Sequence, residues 1–158
     1  MSRQLPLNEV KLLKLIWHPD DVDDATNLVK PTAFRKEDLN GQNGSHVSVD
    51  RSDLAERKCM EDLAAKQAEK ANGINIIREQ AKIGCMPCEE VRNSEHEGTN
   101  LFLVSPFEVA ENPAHCGIHS NIEAPNRATL DQMRGRLAQL ASPPAQFDEV
   151  YGPELKPQ

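Results

Sequence analysis

Aromatic residues are scarce: one Trp, one Tyr and four Phe amount to 4% of a 158-residue chain. A core with so few rings must rest on Leu, Val, Ile and Ala, with Trp17 and the phenylalanines as its large pieces. Cysteine is sparse too, four residues spread along the chain. That pattern excludes a small disulfide-stapled scaffold and leaves thiols or metal ligands as the roles to weigh. Bases are outnumbered, 18 against 25 acids, for a net charge of −7. Binding a phosphate backbone needs a basic face to displace counterions, so nucleic acid is not an expected partner. No apolar run approaches the roughly 20 residues of a membrane-spanning helix, so no membrane contact is expected. The opening residues, Met1-Ser-Arg-Gln-Leu-Pro6, lack the apolar stretch and cleavage site of a secretory signal. We therefore expect a soluble, cytoplasmic protein.

A chain of this length makes one ordinary domain and buries roughly 70% of its extended surface. The pattern divides it into a flexible N-terminus (1–9), a single α+β domain (10–141) and a Pro-rich C-terminal tail (142–158). The apolar segment 10–17 fits a strand or a helix by periodicity alone. Pro19, close behind it, favours the strand. Residues 31–35 and 45–51 read as short extended pieces. In the second, Val47 and Val49 alternate with His46, Ser48 and Asp50, as on a half-buried strand. The spacing predicts a helix over 53–72, with Asp53 and Glu56 as a capping box, an apolar stripe through Met60, Leu63, Ala64 and Ala68, and Gly73 as its stop. Residues 74–83 read as extended and 84–98 as a polar loop. In 101–119 two apolar runs flank an Asn112-Pro113 corner, which predicts a pair of strands folded back on each other. A second helix is predicted over 126–141, with Leu130, Met133, Leu137 and Leu140 on one face. The tail is expected to lie across the domain through Phe147 and Tyr151. Together these pieces predict a small, mostly antiparallel sheet with both main helices on one face.

Two clusters could carry chemistry. Cys85-Met-Pro-Cys88 and Cys116-Gly-Ile-His119 are two close donor pairs, the usual way to supply four ligands to a structural zinc. A regular strand through 115–119 would turn Cys116 and His119 to opposite faces, which works against that set. The second cluster gathers Arg35, Ser48, Asp50, Arg51, His115 and His119. If the extended pieces neighbour one another, Arg35 and Arg51 clamp a phosphate or carboxylate and His115 serves as acid or base.

Several short segments also carry a resemblance. Trp17-His-Pro19, Pro31-Thr-Ala-Phe-Arg35, Val47-Ser-Val-Asp50 and Asn112-Pro-Ala-His115 followed by Ile118 occur here in order. They resemble a group of small bacterial proteins in which an S/T-x-A-F segment precedes L/V-S-V-D and an N-P-A-H-x-x-I segment closes the domain. The resemblance implies a shared architecture and no particular activity. Cys116 stands where that group more often has Ala.

Three functions follow as expectations. The first is an accessory or protein-interaction domain whose partner is another protein. The second is a small enzyme or nucleotide- or anion-binding domain using the Arg/His cluster. The third is a zinc-stabilised module.

Overall fold

The structure, a computed structural model, describes residues 6, 8–42, 44–70, 80–106 and 112–153. In chain order its elements begin with strand β1 (Lys11–Trp17) and the short ladder of β2 (Val22–Asp23) with β3 (Leu28–Val29). Two 3-10 turns (Pro31–Ala33, Lys36–Leu39) lead to β4 (Val47–Arg51) and helix α1 (Arg57–Lys70). Then come β5 (Ala81–Pro87), α2 (Cys88–Arg92), and the hairpin of β6 (Glu95–His96) with β7 (Thr99–Asn100). The chain continues through β8 (Phe102–Pro106), β9 (His115–Ser120), α3 (Arg127–Leu140) and α4 (Phe147–Tyr151). Five strands form the central sheet in the order β5-β1-β4-β9-β8, every neighbouring pair antiparallel. This is the expected α+β architecture, and no helix among the described residues is long and apolar enough to cross a membrane.

β1 is apolar almost throughout because it is buried on both faces. Leu12 and Ile16 join one core cluster, Leu13 and Leu15 the other. Alternation therefore cannot show in its sequence, which is why periodicity left strand and helix open. The first cluster lies under α3, whose Met133, Leu137 and Ala138 pack on Leu12, Val47, Val49, Phe102 and Ile118. Asn126 caps α3, its side chain accepting from the Thr129 amide at 2.9 Å. The second cluster lies under α1 and α4, where Met60, Ala64 and the partly buried Phe147, Val150 and Tyr151 meet Leu13, Leu15 and Ile83. The main helices thus take opposite faces, not the one shared face expected. The two sides of β1 are each apolar enough to need a cover.

Local expectations change for identifiable reasons. The capping box at Asp53 does not form, because Arg51 takes both carboxylate oxygens, Nε to Oδ1 and Nη2 to Oδ2, each at 2.8 Å. α1 begins later, at Arg57. Residues 31–33 are a 3-10 turn instead of an extended piece, with Pro at its start. The expected polar loop 84–98 holds the end of β5, then α2 and the β6–β7 hairpin. Gly73, the first part of the expected strand 74–83, and most of the expected N-terminal segment lie outside the described residues. So does the end of the tail.

The tail's described part bridges one edge of the sheet at Ile83. Ile83 and Ala145 exchange backbone hydrogen bonds of 2.8 and 2.7 Å along the outside of β5. Tyr151 then donates to the Ala55 carbonyl at 3.0 Å, as expected of a tail lying across the domain. β8, at the other end of the sheet, has no such cover among the described residues.

Candidate functional site

Strand alternation sorts the chemistry-bearing residues. On β9, Cys116 and Ile118 enter the α3-side core, so His115, Gly117 and His119 face the other way. On β4, Val47 and Val49 enter that core and Ser48 and Asp50 face with the histidines. On β8, Phe102 and Val104 are buried while Leu103 and Ser105 share the histidine face. The register completes the arrangement: Asp50 lies opposite His115, Ser48 and Ser105 flank Gly117, and Leu103 lies opposite His119.

His46 precedes β4 and folds its ring over this face. It stands edge-on to His115 at 5.9 Å between centroids and tilted against His119 at 5.6 Å. The Gly44 carbonyl accepts from His46 Nδ1 at 3.1 Å. Gly117 makes room for the packing. A Cβ there would stand 3.0 Å from His119 Nε2 and from both Cβ and Cδ2 of His46. His119 Nε2 and Ser105 Oγ are 2.8 Å apart. The expected Asn112 corner is pinned from inside: Asn112 Nδ2 donates to Asp50 Oδ1 at 2.7 Å, and Asn112 Oδ1 accepts from the Ala114 amide at 3.1 Å. Asp50 is only 2% exposed. Burial raises its pKa, with the Asn112 hydrogen bond and the neighbouring His115 pulling the other way.

His119 shifts downward, first through burial and second through the nearby His46, while a hydrogen bond with the Ser45 backbone opposes both. The sign of its effect on stability follows. With a folded-state pKa below the ordinary 6.5, the cost of charging His119 is absent above that value and grows as the pH falls through it. Stability should decline between about pH 7.5 and about pH 5, and His119→Gln should lose that share of the decline. Urea unfolding at both pH values measures it. An unchanged pH dependence in the variant would assign the effect to other groups.

The structure gathers part of the expected Arg/His cluster. Ser48, Asp50, His115 and His119 come together, joined by His46 and Ser105. The arginines do not. Arg51 is next to Asp50 in the same strand and so points to the opposite face, toward Cys88 and Cys116 and onto Asp53. Arg35 is exposed between the 3-10 turns and pairs with Glu37 at 3.5 Å. The expected zinc ligands are also divided by the sheet. Cys88 and Cys116 are buried on the α3 side, Cys85 packs on the α1 side, and His119 is on the histidine face. Burial pushes the Cys116 thiol up to about 11. Among the described residues no group of three or more His, Cys, Asp or Glu is placed to hold a metal ion, the three imidazoles included.

Among the described residues, the same strands leave β8 with an open edge. The Arg51 amide donates to the Ala114 carbonyl at 2.9 Å, which makes 51/114 a hydrogen-bonded pair. Alternation then turns the backbone of 116 and 118 toward β4 and that of 117 and 119 toward β8. Leu103 and Ser105 are thereby bonded inward, and Phe102 and Val104 present their N–H and C=O groups outward. The Asn121 amide, donating to the Leu101 carbonyl at 2.9 Å, agrees with this register. Outside that edge lies a groove of about 700 Å³, with Phe102, Leu103 and Val104 on one wall and Pro6, Asn8, Glu9, Arg92 and Asn100 around the rest. Arg92 holds the far wall by donating to Asn8 Oδ1 at 2.8 Å. Leu103, at 54% exposure, is the most exposed large hydrophobic residue described. Sequence reading missed the groove, because strand order is not written in local pattern. It also missed Ser105, although Ser105 follows the first apolar run directly.

Compared with protein-family models, curated proteins and solved structures, the chain matches none.

Proposed function

We propose that the protein is an accessory domain that captures an extended segment of another protein by strand addition at β8. The observation that carries this reading is the contrast between the sheet's two edges. β5 is bridged at Ile83 by Ala145, whereas β8, among the described residues, offers outward N–H and C=O groups at Phe102 and Val104 beside a groove. An added strand gains affinity from main-chain hydrogen bonds and specificity from alternate side chains. Here Leu103 supplies apolar contact, and Glu9 and Arg92 supply one charge of each sign. Such an edge, left uncovered, is a site for association. The same reading carries the cytoplasmic setting and the kinship with the small bacterial proteins sharing the three segments. Their S/T-x-A-F, V-S-V-D and N-P-A-H positions fall here on a turn that buries Ala33 and Phe34, the central strand β4 and the pinned corner before β9. Those are architectural places, which supports a shared fold and leaves the partner to each protein's own edge.

The test is a displayed library of random heptapeptides, followed by amide hydrogen exchange of the complexes. Binders should protect the Phe102 and Val104 amides. Val104→Pro removes one outward donor without touching an inward one, and should weaken binding by about tenfold or more, for a loss of about 1.4 kcal/mol. Val104→Ala, which loses the same core packing but keeps the N–H, should bind nearly as wild type. Equal losses in the two variants, or binders that leave both amides unprotected, would remove the reading.

A further inference from the structure

A second feature stands apart from the β8 edge and does not rest on it. We propose that Ser105 is a nucleophile served by His119 as general base, and that it takes the acyl group of a small carboxylic ester. Three observations carry the assignment. Ser105 Oγ and His119 Nε2 are within a hydrogen bond, at 2.8 Å, on a partly exposed face. The imidazole is held from two further sides, by the His46 ring at 5.6 Å and by a hydrogen bond with the Ser45 backbone. Gly117, the register partner of Ser105, leaves open the space in which His119 Nε2 and the His46 ring pack. A nucleophile within reach of a base, with the base oriented by a third group, is the arrangement that activates serine. Burial and the neighbouring His46 both favour the neutral imidazole, whose lone pair can accept the serine proton.

The substrate class follows from what surrounds the pair. None of the β4, β8 and β9 positions on this face is Lys or Arg, and Arg51 is turned to the other side of the sheet. Among the described residues of these three strands a phosphoryl dianion would find no Lys or Arg to neutralise it, whereas a neutral ester needs none. Leu103, opposite His119 in register and more than half exposed, offers an apolar surface to a short acyl chain. In the first half-reaction Ser105 Oγ adds to the ester carbonyl carbon and its proton passes to His119 Nε2. The tetrahedral intermediate then collapses, the ester C–O bond breaks, and the alcohol departs with that proton. In the second half-reaction water adds to the acyl-serine, giving its proton to His119 Nε2. The carboxylic acid leaves and Ser105 recovers its hydrogen. The sum is ester and water to acid and alcohol.

The 158-residue protein is mixed with p-nitrophenyl acetate, and separately with a fluorophosphonate probe, and the labelled peptide is read by mass spectrometry. The acetyl group and the phosphonate should both appear on Ser105. Ser105→Ala should abolish both labels and lower p-nitrophenol release by about a hundredfold. In the wild type, release should rise with pH as His119 loses its proton and then level off, and His119→Gln should flatten that rise. Ser105 unlabelled by both reagents in the folded wild-type protein would overturn the proposal, a result that needs no variant to fold. So would a Ser105→Ala protein that turns over the ester as fast as wild type.

Discussion

Phe34→Ala is expected to destabilise the protein by about 3–5 kcal/mol, the range for deleting a buried aromatic ring. Phe34 is fully buried between the two 3-10 turns, and it pins an otherwise irregular connection to the α3-side core. Its carbonyl accepts from Arg134 Nε on α3 at 2.7 Å, so backbone and ring hold the same junction. The ring also lies 5.7 Å from Lys14 Nζ. Lys14 occupies the one polar position on the α3-side face of β1, between Leu12 and Ile16. Its pKa is lowered by burial, with Asp21 and Asp38 pulling it back up. Losing the ring removes a cation–π partner as well as apolar area, so the cavity would open beside an ammonium already short of water. Phe34→Leu keeps most of the volume and should cost less than about 1.5 kcal/mol. Urea unfolding separates the cases: the alanine variant should lower the midpoint with little change in slope. A loss under about 1 kcal/mol for Phe34→Ala would mean that the turns are held by something else.

The parts of this fold that could be read from sequence were those with a local cause. Asn126 and the Leu/Met spacing after it announce α3, and Asn112-Pro113 announces the reversal before β9. Val47 and Val49 declare which face of β4 is buried. Phe147 and Tyr151, the only large rings in the proline-rich tail, marked where it would dock. The rest depended on register and strand order, which are properties of pairs. Asp50 and Arg51 are adjacent, so only one of them can share a face with His115. Nothing local says which, until the Asn112 corner places Asp50 opposite His115. Cys116 and His119 are three apart, and in a strand that odd spacing alone divides them. β1 shows no alternation, so nothing in its sequence opposes the expectation of both helices on one face. In the fold that same lack means both of its faces are buried. The edge of β8, open among the described residues, has no local signature, since nothing in the runs of β5 and β8 says that Ala145 will bridge the first at Ile83.

Gly117→Val tests whether the histidine face is built or incidental, because two tendencies predict opposite signs. Glycine weakens a strand interior, and valine is among the best strand formers, so intrinsic preference alone makes the substitution stabilising. The packing predicts the reverse. A Cβ at 117 already falls 3.0 Å from His119 Nε2 and from two atoms of His46, and valine adds two methyl groups beyond it. The imidazoles must then swing away, and overpacking of this kind costs about 1–3 kcal/mol. The displaced rings give a second readout. His119 should become more exposed and lose the influence of His46, so its pKa should move back up toward the ordinary 6.5. Proton NMR of the imidazole Cε1–H resonances follows that shift directly. Urea unfolding should show the midpoint falling, and ester turnover should fall with it if Ser105 relies on a positioned His119. A more stable Gly117→Val protein with an unmoved His119 titration would mean that the glycine serves no purpose for the rings. The three histidines would then be neighbours by accident of register.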